Sequence, residues 1–377
     1  MAMADPDIQH RGSVEDEKQA GKDGGEHAGT APVVVDIDRR IGATQHVPGD
    51  GVPDAPLPMG SAWRASELTE ADWKIEIPDA ALREFEIIAG ALAEYDEPLD
   101  GLSPDSFDWP ATTDLMADVR ARLGSGLGFV MLDRMPVETW TDLANRAVTW
   151  LVNEMIAPPI MQKWNGHRVY DVRDTGAKLQ YGVRRSVTNL SQEFHTDGSF
   201  LAMTPDFFSL TCIRQAEAGG ESLLASLVSA HNDLLTNHPE HLKRLYEPFW
   251  WDRQAEHHRD ESPANWLPVF TRYGDTLSVR YYDDYIRNGY RLMKEEIDPA
   301  GLAALAAMQE AVEAADNRIS FRLRPGQVIC AQNMQIAHGR NGFSDPSVKT
   351  EGGRLLLRYW LRQEGGIELD GVPPVTA

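Results

Sequence analysis

The chain has 377 residues, 42% of them hydrophobic and 25% charged, enough apolar side chain for one large globular domain or two modest ones. With 36 basic and 58 acidic residues its formal charge is −22, a field that repels nucleic-acid phosphates and anionic lipid headgroups. Two cysteines, Cys212 and Cys330, exclude a disulfide framework or a cysteine zinc site, and no apolar run is long enough to span a bilayer. The expectation is a cytoplasmic protein whose partner is a small molecule, neither nucleic acid nor membrane.

Residues 1–60 contain no aromatic side chain, the first being Trp63, and are rich in Gly, Pro and acidic residues. Such a segment buries too little apolar surface to offset its ordering entropy, so it reads as a disordered acidic tail. Met1–Thr30 has no apolar centre, so no signal peptide is expected, and only Val33–Ile37 suggests a short strand. Residues 61–377 read as a single domain. Helical spacing predicts helices over Ala80–Tyr95, Ser106–Leu123, Val137–Met155, Ser229–Tyr246 and Pro299–Ala315. Short apolar runs bounded by turn residues predict strands at Phe129–Asp133, Phe207–Arg214, Ser222–Leu227, Val269–Tyr273, Leu277–Tyr282, Arg318–Leu323, Gln327–Ala331 and Arg354–Leu361. The strands do not alternate with helices, so a barrel or double-sheet sandwich is expected rather than a doubly wound parallel sheet. The fold class is mostly β with helical decoration.

Three segments carry chemistry. In Gln192-Glu193-Phe194-His195-Thr196-Asp197-Gly198, His195 and Asp197 are two apart, which on an extended strand places both on one face. His338 follows a predicted strand in Gln335-Ile336-Ala337-His338-Gly339-Arg340. Alone, each histidine reads more readily as an ordinary surface, turn or structural residue. Together, two histidines and one carboxylate form the donor set of a non-haem Fe(II) site that leaves open positions for a chelating co-substrate and dioxygen. In Arg354–Arg362, Arg354, Leu356, Arg358 and Trp360 share one face, while Leu355, Leu357, Tyr359 and Leu361 share the other. The apolar face should pack against a layer of helices or another sheet. Arginines on a buried face need anions.

Taken together, these segments resemble the taurine dioxygenase and clavaminate synthase family of Fe(II)/2-oxoglutarate-dependent oxygenases, over roughly Trp63 to Arg362. The residues that carry the resemblance are His195-Thr196-Asp197, Gly219-Gly220-Glu221-Ser222, His338-Gly339-Arg340, and Arg354 with Arg358. It implies a double-stranded β-helix (jelly roll) core and an enzyme using Fe(II), 2-oxoglutarate and O2. It further implies His195, Asp197 and His338 as iron ligands, and Arg354 with Ser222 on the co-substrate. Ser222 replaces the Thr more usual there. Arg358 matches a position that in several members binds an anionic group of the main substrate. The carboxylate of Asp197 favours hydroxylation over halogenation, whose enzymes carry a small residue there. Two other classes share these residues: a non-catalytic jelly-roll binding protein and a zinc hydrolase using the same three ligands. The remaining histidines, Trp250-Trp251 and Tyr281-Tyr282 read as structural, and Gln180, Tyr181 and Arg184 precede the metal motif without a role that spacing assigns.

Overall fold

A computed structural model describes residues 49–163, 165–345 and 352–363. Val33–Ile37 and residues 1–48 of the acidic tail lie outside them. Residues 49–60, by composition part of that tail, lie along the domain. Leu57 is buried, and its backbone N–H and C=O both pair with the Asn232 side-chain amide at 2.8 and 3.0 Å. Among the described residues no helix is long and apolar enough to cross a membrane.

Two sheets organise the domain. The larger runs Lys74–Glu76, Phe129–Asp133, Val328–Gln332, Phe207–Arg214, Leu355–Leu361, with Pro159–Ile160 and Val169–Val172 both pairing along Leu355–Leu361. Only its first pair is parallel. The smaller runs Arg318–Phe321, Ser222–Ser226, Ile336–Arg340, Gln192–His195 and is antiparallel throughout. Period-two alternation separates two buried clusters across the large sheet. Leu355, Leu357, Tyr359 and Leu361 join the helices Asp79–Ala91, Pro110–Ser125 and Asp142–Glu154, as the sequence predicts. A 2.7 Å hydrogen bond between the Tyr359 and Thr149 hydroxyls fastens strand to helix. The opposite face sends Phe208, Leu356 and Trp360 into a cluster with Phe194 and Leu224 of the small sheet.

Phe207–Arg214 forms with the predicted bounds. The predicted helix Ser229–Tyr246 is instead two, Leu227–Asn237 and Pro239–Leu245, because Pro239 has no N–H and holds the preceding residue out of helical geometry. The helix Asp283–Met293 was not predicted. Its polar text includes Gly289, where a Cβ would lie 2.4 Å from the Trp250 carbonyl oxygen. Tertiary packing requires that glycine.

His231, on Leu227–Asn237, is fully buried, with Nε2 2.9 Å from the Tyr246 hydroxyl. Burial pushes its pKa down to about 4. The folded protein therefore binds this proton less readily than the unfolded chain. The stability contribution is complete above pH 6.5 and lost as pH falls through about 4, up to about 3 kcal/mol. His231→Gln is expected to flatten the pH dependence of urea unfolding in that window. Superimposable wild-type and variant profiles would exclude this origin of acid lability.

Candidate active site

His195 ends the strand Gln192–His195, and His338 sits at the centre of Ile336–Arg340. The register places the two residues directly opposite each other, which puts their side chains on one face. The ring centroids are 4.2 Å apart. His195 Nδ1 donates to the Glu193 carbonyl at 2.9 Å, leaving the lone pair on Nε2, where the Gln192 amide lies at 2.9 Å. His338 stacks on Phe208 of the large sheet at 4.0 Å, so its ring is gripped between the sheets.

Asp197 lies just past the strand, in a turn that Asn333 holds by its backbone. The Asp197 N–H donates to Asn333 Oδ1 at 2.8 Å, and Asn333 Nδ2 donates to the carbonyls of Asp197 and Pro205 at 2.9 and 3.1 Å. Thr196 is tied on both backbone and hydroxyl to Tyr281. Gly198 follows at φ +62°, a left-handed turn in which a Cβ would crowd Leu201 and Pro205. The Asp197 carboxylate then sits between the imidazoles, with Oδ1 3.7 Å from His195 Nε2 and Oδ2 3.6 Å from His338 Nε2. Oδ1 accepts from Arg358 Nη1 at 2.9 Å. Oδ2 is buried and has no hydrogen-bond donor among the described residues.

Burial drives the His338 pKa well below the usual imidazole range, with His195 next in effect, and burial also lowers His195. Burial opposes the Asp197 charge too, but the Arg358 guanidinium and both histidines outweigh it and hold the carboxyl low. Two neutral imidazoles and one carboxylate result, the forms that ligate metals. Their donor atoms lie within 4.8 Å of one another, and the open Oδ2 gives a divalent cation its anionic ligand. The residues fit an N,N,O metal site.

Two buried arginines flank a small cavity against these histidines. Arg354, on the approach to Leu355–Leu361, donates through Nε to Gln215 at 3.3 Å and has no partner at Nη1. Arg340 donates through Nη2 to the carbonyls of Thr188 and Leu190, and has none at Nε or Nη1. Both lie over the Phe343 ring, and burial pushes their pKa values down to about 10 and about 9. Sheet register sets Ser222 opposite Arg340, and Ser222 lines the same cavity. Among the described residues no acid forms an ion pair with either guanidinium, and buried guanidiniums so placed invite an anion. Sequence reading quoted Arg340 beside His338 but gave it no role, and the signal it missed was the period-two step from His338 across Gly339.

Asp197 also lines a cavity of about 400 Å³, which shares Ser186, Gln192, His195 and Arg358 with the small one. Arg358 lines it, donating through Nε to Gln162 at 2.8 Å and having no partner at Nη2. Gln180, Tyr181 and Arg184 line it as well. So does Tyr282, which lies 5.1 Å from the His195 ring, whereas the sequence suggested packing alone. Trp251 is fully buried and Trp250 packs against Trp266 with the rings tilted, as packing residues do.

A family model described as "Taurine catabolism dioxygenase TauD, TfdA family" matches residues 95–360. FR-33289 synthase of Streptomyces rubellomurinus is 27% identical over 316 residues, covering 82% of this chain and 91% of that protein. The structure of an asparagine oxygenase with Fe(II), 2S,3S-3-hydroxyasparagine and succinate superposes with a TM-score of 0.60 at 18% identity, covering 77% of this chain and 93% of that one. The non-heme iron oxygenase OrfP with Fe and alpha-ketoglutaric acid gives a TM-score of 0.58 at 14% identity, covering 77% and 94%.

Proposed function

This chain belongs to the TauD/TfdA family of Fe(II)/2-oxoglutarate-dependent dioxygenases, and from that premise we propose that it hydroxylates a small anionic or amino-acid-like metabolite with release of succinate and CO2. Its cofactors are ferrous iron, 2-oxoglutarate and dioxygen. In this reading the two sheets are the halves of a double-stranded β-helix, and His195 Nε2, His338 Nε2 and Asp197 Oδ2 hold the iron between them. The observation that carries the reading is the buried, donor-free Asp197 Oδ2 beside two neutral imidazole nitrogens.

Bound ferrous iron supplies the activation of dioxygen that is coupled to decarboxylation of 2-oxoglutarate. The protein's own groups bind and orient. Arg354 and Arg340, with Ser222, take the distal carboxylate of 2-oxoglutarate in the small cavity, where among the described residues no acid pairs with their open N–H groups. The Glu193 carbonyl fixes the tautomer of His195, and Arg358 keeps Asp197 ionised. Tyr282 and Trp360 wall the larger cavity, where Arg358 Nη2 meets an anionic group of the main substrate. A zinc hydrolase with the same ligands has no use for two buried guanidiniums with open N–H groups beside its metal.

The test is succinate formation by the iron-loaded protein, assayed across small carboxylates, amino acids and other small anions. Substrate-stimulated succinate release that requires both Fe(II) and 2-oxoglutarate is expected. If none of these compounds gave succinate or accelerated 2-oxoglutarate consumption, the small-anion reading would fail.

A further inference from the structure

We propose that Arg280 is a positioning residue of the metal site, holding the loop that follows Asp197 and so setting where that carboxylate stands. This rests on the reading that His195, Asp197 and His338 hold a metal. Arg280 lies between the strand Thr276–Val279 and the helix Asp283–Met293, remote in sequence from the metal motif. Its guanidinium reaches back to the turn after Asp197. Nη1 donates to the carbonyl of Ser199 at 3.2 Å and to that of Leu201, and Nη2 donates to the carbonyl of Ala202 at 2.6 Å. Burial, with the Arg362 cation next in effect, pushes its pKa down to about 10. Its hydrogen bonds are spent on backbone carbonyls, whose partial negative charges converge on the cation.

The residues beside Arg280 grip the same motif. The Tyr281 carbonyl accepts from the Thr196 N–H at 2.7 Å, and the Tyr281 N–H donates to the Thr196 hydroxyl at 3.0 Å. Tyr282 places its ring 5.1 Å from that of His195. Consecutive residues thus meet the motif at His195, at Thr196, and beyond Asp197. The gripping segment is itself anchored. The Arg280 N–H donates to the Val269 carbonyl at 2.8 Å, and the Val279 N–H donates to that of Met334 at 3.0 Å, next to the Asn333 that clamps Asp197.

The turn depends on these outside donors. Gly198 opens it, and the Leu201 N–H closes it on the Gly198 carbonyl at 2.8 Å. The carbonyls of Ser199, Leu201 and Ala202 go to Arg280, and that of Phe200 accepts from Asn265 Nδ2 at 2.7 Å. A turn whose carbonyls are paired mainly with side chains takes its shape from them. Asn333 fixes its start and Arg280 its far side. Both ends carry function, because Asp197 stands at one and Phe200, at the other, lines the 400 Å³ cavity. A ligand displaced by about 1 Å no longer serves the same metal with the same geometry.

The probe is Co(II), which accepts the same nitrogen and oxygen ligands and whose visible bands report their geometry, titrated anaerobically into the metal-free full chain. Arg280→Met is expected to weaken Co(II) by ~10-fold, the lower end of what groups outside the ligand set contribute, and to shift its bands. Arg280→Lys keeps a cation with donors for the same carbonyls and is expected to recover most of the affinity. Asn265→Leu removes the Phe200 clamp and leaves Arg280 in place. It is expected to shift the bands in the same direction with a smaller loss of affinity, so the loop is tested even if Arg280→Met does not fold. Affinity and bands that stay as in the wild type, in Arg280→Met or, should that variant not fold, in Asn265→Leu, would leave Arg280 a stabilising residue alone and overturn the proposal, whatever the melting temperature does. A wild-type chain that binds no Co(II) would instead overturn the metal site beneath it.

Discussion

Alanine at His195, Asp197 or His338 is expected to abolish iron retention and substrate-dependent succinate formation, with cooperative unfolding preserved. Losing even an outer partner of a ligand costs ~10–100-fold in metal affinity or activity, and removing one of three protein ligands should cost more. The variants should differ in stability. His195→Ala and His338→Ala remove neutral rings, whereas Asp197→Ala leaves the buried Arg358 without its acid, a loss of ~3–5 kcal/mol for a broken buried pair. Iron content after anaerobic reconstitution, read beside the melting temperature, separates the effects. Wild-type iron content in any one variant would remove that residue from the metal site.

The second large effect is expected at the co-substrate. Arg354→Lys should weaken 2-oxoglutarate by ~10–100-fold, because a point charge cannot reproduce a planar fork in a site built around one. Iron retention should be unchanged, since Arg354 makes no bond to His195, Asp197 or His338 among the described residues. Arg340→Met should weaken the same ligand without affecting iron. Anaerobic titration of 2-oxoglutarate into the iron-loaded variants reads both. An unchanged dissociation constant in both would place the co-substrate elsewhere.

The metal motif was legible because its spacing is local. His195 and Asp197 are two apart, and although Asp197 lies in the turn just past the strand, that short spacing keeps both at one place. The alternation in Leu355–Leu361 was legible for the same reason, and each of its faces meets the cluster that period two assigns. What the sequence hid is what sheet pairing and packing create. Asn333 clamps Asp197 across 136 residues, and Gln162 holds Arg358 across 196. Neither residue belongs to a local pattern. Arg184 stood near the motif, but its place in the cavity depends on Tyr170 and Trp360, which lie on two other strands. The helix Asp283–Met293 escaped because its polar composition masks the face that packs on Trp250.

The direct pairing of His195 with His338 makes the centre a product of late folding. Both histidines and the Arg358–Asp197 pair, 161 residues apart, close long loops, and chains with such high contact order fold slowly. A slip of one residue between these two strands would turn one histidine away from the other. During synthesis a nascent chain that ends before Ile336 carries two of the three donors, and Asp197 still lacks Arg358. On the proposed function, metal capture is coupled to completion of the sheets, so an oxygen-activating ion has no full seat until the walls that confine its chemistry are standing.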